Sequence, residues 1–389
     1  MTEWDSMTIE NLYLSAESGD PAAQFEIAKL YLQDSPFEKI PQVAVKWLKK
    51  ASLQECEDAM RKLLELYKSN VVAVEGQPTV NELMQKLADS GDTELQVELA
   101  NSYLQNADTS DRAIQLLEKA SASGNLEAIL KLADLYQKGE LVAVNHERAY
   151  ELYEKAAEAG DPESGNRLGF AWLYGQHPIY PKQTDYEKAF SYFTIAKKDG
   201  KPLTYFCLSQ MYHDGLGVKQ DMVKSVEYLK MAADMKMPIA CMEYGRYLLN
   251  ADETHEADPS QAAKYLSIAA ENGDTTAKSL LVTLFLQRIG GSTDAGKVLE
   301  YAKEVAEDGT EQSRMKLANV YHTTEQYDRA LEIMKEYAER GNANAEYFLG
   351  YCYIAAQGVE KNFKTAKEWL KKASEHGHPK AKQLMKELF

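Results

Sequence analysis

The chain has 389 residues, enough for two or three ordinary domains, and its 44% hydrophobic content with 24 tyrosines supplies a packed interior, which excludes disorder of the bulk chain. Lys+Arg total 44 against 60 Asp+Glu, and the net charge of −16 repels phosphate backbones, so nucleic-acid binding is set aside as a general activity. Cys56, Cys207, Cys241 and Cys352 lie far apart with no close pair, forming neither a disulfide framework nor a CxxC site; they read as small buried hydrophobes in a reducing compartment.

Along the chain, the first twenty residues carry Glu3, Asp5, Glu10 and Glu17 with neither the basic nor the apolar region of a secretory signal. No stretch reaches the roughly 18 apolar residues of a membrane span, so a soluble cytoplasmic protein is expected. From there a phrase recurs: Ala, polar residues, Gly, then Asp or Asn. It reads Ala16-Glu-Ser-Gly19-Asp20, Ala88-Asp-Ser-Gly91-Asp92, Gly124-Asn125, Ala157-Glu-Ala-Gly160-Asp161, Ala270-Glu-Asn-Gly273-Asp274, Ala306-Glu-Asp-Gly309, Ala338-Glu-Arg-Gly341-Asn342 and Ala373-Ser-Glu-His-Gly377. With Gly200 and degenerate copies at Glu55 and Lys236, the steps run from 32 to 40 residues, about 36 on average, which is a solenoid period. The expectation is one continuous array over 1–389, with units at 20–55, 56–91, 92–124, 125–160, 161–200, 201–236, 237–273, 274–309, 310–341 and 342–377 and a capping helix at 378–389. Each Gly supplies the left-handed turn that ends one helix, and the following Asp or Asn caps the next.

The first helix of each unit aligns across all ten. A large position reads Ile27, Leu63, Leu99, Leu132, Leu168, Leu208, Tyr244, Leu281, Leu317, Leu349. The next residue is small in most copies, as Ala28, Gly169, Gly245 and Gly350, with Leu64 and Val282 as exceptions. Three further on stands an aromatic in all but one, from Tyr31 through Trp172 to Tyr353, with Leu248 the exception. One helical stripe carries all three, and the small residue admits a neighbouring helix closely, so the tyrosines read as core. The second helix opens with a capping residue (Asp111, Asn145, Asp185, Asp221, Asp258, Asp294, Asn362), then Ala or Ser, then an aromatic or aliphatic three on.

The run Cys207-Leu-Ser-Gln-Met-Tyr212-His-Asp-Gly215-Leu-Gly217-Val218, followed by Asp221, Ser225, Tyr228 and Ala232-Ala233, resembles the Sel1-like repeat, a relative of the tetratricopeptide repeat. Phe348-Leu-Gly350-Tyr-Cys-Tyr353 with Gly358-Val359, Ala366, Trp369 and Ala373 resembles it too. The likeness covers the chain, with 55–90 departing from it and 310–340 shorter and nearer the tetratricopeptide form. It implies an all-α fold, an α/α solenoid forming a right-handed superhelix of about ten helix pairs, whose first helices line a concave groove. The residues it places there are Phe25, Val97, Leu130, Phe170, Leu173, Tyr174, Phe206, Met242, Arg246, Met315, Tyr347 and Tyr351, the apolar and aromatic material of binding hot spots. The function implied is a non-enzymatic scaffold or adaptor for a partner protein. Alternatives are an immunity or inhibitor protein whose acidic groove caps a basic toxin, and a regulatory subunit of an enzyme.

Catalytic signatures are few. Gly291-Ser-Thr-Asp-Ala-Gly296-Lys297-Val298 approaches a phosphate-binding loop, but Val298 stands where Ser or Thr holds magnesium and a helix, not a strand, is expected before it. Gly215-x-Gly217 lacks the strand and third glycine of a dinucleotide fingerprint. His146-Glu147 and His255-Glu256 each lack the second His of a zinc-protease helix, and His376-x-His378 is expected to meet terminal carbonyls or solvent. No catalytic residue, cofactor or metal is therefore expected.

Charge is uneven. Residues 1–100 hold 9 basic and 18 acidic side chains, net −9, whereas 361–389 hold 8 Lys against 3 Glu, net +5. The acidic body suits a basic partner. Long loops at Tyr174–Asp185 and Asn250–Asp258 are a second candidate contact edge.

Overall fold

The computed structural model describes residues 6–33, 38–74, 76, 78–105, 109–251, 256–289 and 294–388. Among these residues are 22 α-helices and no strand, the all-α class that the alignment predicts. The chain divides into two compact units, Met1–Ala196 and Lys197–Phe389.

In the first unit α1 (Ser6–Ser18) precedes five helix pairs: α2 (Pro21–Leu32) with α3 (Pro41–Leu53), α4 (Glu57–Lys68) with α5 (Val80–Asp89), α6 (Thr93–Tyr103) with α7 (Ser110–Ala122), α8 (Leu126–Lys138) with α9 (His146–Glu158), and α10 (Pro162–Leu173) with α11 (Tyr186–Ala196). The second unit has five more: α12 (Pro202–Asp214) with α13 (Met222–Asp234), α14 (Pro238–Leu249) with α15 (Pro259–Glu271), α16 (Thr275–Gln287) with α17 (Ala295–Ala306), α18 (Glu311–Thr323) with α19 (Tyr327–Glu339), and α20 (Ala343–Ala355) with α21 (Phe363–Glu375). A short helix, α22 (Ala381–Leu388), follows them.

The turn between pairs is built as the repeated phrase requires. The nine phrase glycines from Gly19 to Gly377 have φ between 66° and 109°, and the degenerate Glu55 and Lys236 adopt the same left-handed conformation at 61° each. The following N–H closes the outgoing helix with a six-residue bond, as from Asp92 to the Leu87 carbonyl at 3.1 Å. Its side chain then opens the next helix: Asp92 Oδ1 accepts from the Leu95 N–H at 3.0 Å and Asp161 Oδ2 from that of Ser164 at 2.7 Å.

Within pairs, the N–H before the second helix donates back to the carbonyl of the aromatic position. The bonds run from Asn145 to Tyr136 at 2.9 Å, Asp185 to Trp172 at 3.1 Å, Asp221 to Tyr212 at 3.0 Å, and Asn362 to Tyr353 at 3.0 Å. The bond uses the backbone, so Leu248 makes it equally well with Asp258, at 2.8 Å. Asn145, Asp185, Asp221, Asp258, Asp294 and Asn362 cap their helices with their side chains. Asp111 does not: α7 starts two residues earlier, Thr109 is its N-cap and donates its hydroxyl to the Tyr103 carbonyl, and Asp111 sits in the first turn, where a carboxylate complements the helix dipole.

The small position brings helices into contact. A Cβ on Gly245 would lie 2.7 Å from Leu266 Cγ, one on Gly350 2.7 Å from Leu370 Cγ, and one on Gly169 2.8 Å from Phe193 Cε1. Real Cβ atoms essentially never stand so close, so a side chain at these glycines would force the facing Leu266, Leu370 or Phe193 to shift. The aligned tyrosines Tyr31 and Tyr136 are half-buried and Tyr321 is buried, in keeping with a core role. Among the described residues no helix is long and apolar enough to cross a membrane.

Candidate functional site

Two neighbouring first helices of the second unit, α18 and α20, wall a cleft of about 670 Å³. Four register positions supply both walls: Gln312 and Asn344, Met315 and Tyr347, Lys316 and Phe348, Asn319 and Tyr351, each pair 32 residues apart, one repeat. Met334 adds apolar surface from α19, and His378 closes one side.

The walls are held in place from behind. His378 stacks on Tyr347 with ring centroids 4.0 Å apart, and His322 meets Phe348 edge-on at 5.0 Å while bonding Gln357 Oε1 through Nε2 at 2.7 Å. Lys316 Nζ donates to Ser279 Oγ at 3.0 Å, and Glu311 accepts from the Asn342 amide, so both charged groups of the lining are engaged. Burial, then the charge of Lys380, pushes the His378 pKa down, leaving a neutral ring at pH 7. Burial, then Tyr351 and Glu387, pushes the Tyr347 hydroxyl up, so it stays a donor. What the cleft offers is an aromatic and thioether floor, with the amides of Gln312, Asn319 and Asn344, which hold no hydrogen bond among the described residues, along its length. Amides carry both donors and an acceptor, as a peptide backbone does.

Met315, Tyr347 and Tyr351 of the predicted groove thus come together. The others do not join this cleft. In the first unit Phe170 is half-buried, edge-on to Phe193 at 5.0 Å and stacked with Tyr174 at 6.2 Å; Tyr174 is 62% exposed and Leu173 half-buried. Phe25 is half-buried beneath the Lys29 ammonium, 5.1 Å from its ring centre, and Leu130 packs partly against the core. Val97 is buried in that core, so it is packing and not groove. In the second unit Phe206 and Met242 lie half-buried against the core, and Arg246 is exposed, 3.9 Å from Glu243. Sequence reasoning missed Asn319 although it shares a register with Tyr351, because the groove set was chosen chiefly for apolar and aromatic side chains.

Other expected features resolve differently. His376 is half exposed to solvent, as expected, and in place of a carbonyl its Nδ1 bonds the buried Glu346 carboxylate at 2.8 Å. Residues 291–293 of the phosphate-loop-like run lie outside the described residues, as does His255; Asp294 caps α17 and Lys297 pairs with Glu271. His177 anchors the Tyr174–Asp185 loop by being wholly buried; residues 252–255 of the second long loop lie outside the described residues.

Comparison with known proteins agrees with this architecture. The Sel1 repeat profile matches residues 21–56, 106–125, 126–161, 162–201, 206–237, 238–274 and 343–378, more than half the chain, passing over 57–105 and 275–342. Protein sel-1 homolog 2 of Mus musculus is 28% identical over 239 residues, which cover 58% of this chain and 34% of that protein. The Homo sapiens protein of the same name is 29% identical over 201 residues, 49% of this chain and 29% of that one, so the chain spans about a third of the length of these curated relatives. The crystal structure of c5321, a protective antigen of uropathogenic Escherichia coli strains displaying an SLR fold, aligns with 98% of this chain and 82% of its own at TM-score 0.54 and 25% identity. Ten helix pairs in one register, the recurring turn and these matches give the same answer: the chain belongs to the Sel1 repeat family, whose members generally mediate protein–protein interactions.

Proposed function

We propose that this protein is a non-enzymatic scaffold that holds an extended segment of a partner protein in the α18/α20 cleft. The observation that carries the reading is the pairing of uncommitted amides (Gln312, Asn319, Asn344) with an apolar floor (Met315, Tyr347, Phe348) over a length of two helices. Extended segments are recognised through main-chain hydrogen bonds for affinity and pockets for alternate side chains for specificity. A helical ligand satisfies its own backbone and would leave the amides unused.

Burial supports a non-catalytic reading of the thiols. It pushes Cys207 and Cys352 up to about 12 and Cys241 up to about 11, which leaves no thiolate for nucleophilic attack near pH 7. All four cysteines are free, which favours a reducing, cytoplasmic setting. A basic partner finds support in the net charge of −16, which acts on encounter; the cleft itself is nearly neutral.

Site-specific photo-crosslinking tests the proposal. A benzophenone amino acid at Asn319 in the full chain is expected to trap one extended peptide of a captured partner, and the same group at the exposed Glu332 of α19 to trap none. Crosslinks from 332 with none from 319 contradict the cleft. Loss of catalytic activity of a trapped basic enzyme would instead support the inhibitor reading.

A further inference from the structure

We propose a second docking site, in the cleft between α21 and α22, for an acidic segment of a partner protein that carries an apolar side chain. This cleft, about 490 Å³, is lined by Lys367 and Lys371 from α21 and by Lys382 and Lys386 from α22, with half-buried Met385 among them. The one carboxylate in the lining, Glu375, already stands 3.7 Å from the Lys371 ammonium. Lys382 and Lys386 make no ion pair among the described residues, and both are exposed.

Charge complementarity identifies the occupant. In a chain of net −16, residues 361–389 carry 8 Lys against 3 Glu, and this cleft gathers half of those lysines. Ammonium groups four apart on one helix repel each other unless an anion lies between them, as with Lys382 and Lys386. Carboxylates spaced along a peptide meet that need, and Met385 offers a flexible apolar contact between the charges. A nucleic acid fits less well: the lining has no arginine for bidentate phosphate contact and no aromatic ring for base stacking, and the rest of the chain repels polyphosphate. The site is separate from the α18/α20 cleft, and either can be lost without the other.

Fluorescence anisotropy with the full chain tests it, using a fluorescein-labelled peptide Glu-Glu-Asp-Leu-Glu-Glu-Asp as probe. Binding is expected to weaken at least about tenfold in the K382E/K386E double variant and to fall with added salt. Replacing the probe leucine by serine is expected to weaken binding about fivefold, through lost apolar contact. A K382Q/K386Q variant with unchanged helical circular dichroism separates charge from folding and is expected to fall between the other two. Absence of binding, equal binding to K382E/K386E, or equal binding of the serine probe overturns the site. So does tighter binding of an oligothymidylate of equal charge, or wild-type self-association that the same double variant abolishes, which would assign the cleft to another occupant.

Discussion

Glu55 and Lys236 sit at φ 61° where the other phrase positions have glycine, so each bears the steric cost of a Cβ in the left-handed region. Substituting glycine at either removes that cost and adds some unfolded-state entropy, a net stabilisation of about 0.5–1 kcal/mol each. Urea denaturation is expected to show an upward midpoint shift for E55G and K236G, and a downward shift would show that these side chains make compensating contacts. His177 carries a different strain. It is wholly buried against Trp172 at 4.6 Å, Tyr150 at 5.0 Å and Tyr180 at 5.4 Å, with no hydrogen bond at either ring nitrogen. Burial, then the charge of Lys188, pushes its pKa below the ordinary histidine value; Glu154, 3.4 Å from Nε2, does not offset them. The unfolded chain therefore takes up a proton that the folded chain refuses, so stability falls as pH drops below about 6.5 and levels off under the depressed folded value. H177F should flatten stability between pH 6.5 and 5, and an unchanged pH profile would assign that dependence to other groups.

At the scale of the helix pair, the sequence alignment was enough for much of the architecture because period and turn chemistry are local. The phrase glycines and their caps act within one turn of where they stand in sequence, and the small packing position meets the second helix of its own pair, as Gly350 meets Leu370. Gly350 illustrates the limit of tolerance: leucine there would collide with Leu370, so G350L is expected to destabilise by about 1–3 kcal/mol or more, read as a lowered thermal midpoint. An unchanged midpoint would mean that α20 and α21 can separate without loss. Where the alignment failed, the cause lay beyond the local register. Asp111 looked like a cap because its neighbours' equivalents are caps, but an earlier start of α7 gives that place to Thr109. Val97 occupies the same register as Met315 and Tyr347, yet is buried in its own unit, since what covers a helix face is decided by side chains distant in sequence. His376 was expected to meet free carbonyls or solvent; it stays half exposed, and its ring also bonds the buried Glu346, 30 residues away.

At the scale of the whole molecule, function follows from which repeated positions stay uncommitted. Phe206 and Met242 pack against the core of their unit, whereas α18 and α20 leave three amides without a hydrogen bond among the described residues and the Tyr351 ring 44% exposed. One wall, α18, belongs to the 310–341 unit, whose short spacing already sets it apart in the sequence and which the family profile passes over, and the other, α20, opens the next unit, which the profile matches. The segment-holding role of this cleft is tested most directly by isothermal titration of the captured partner against wild-type chain and the Y347A/Y351A and N319A/N344A variants. The account predicts that each double variant loses about thirtyfold or more in affinity, roughly 2 kcal/mol, with thermal midpoint nearly unchanged. Full-strength binding by both variants would contradict it.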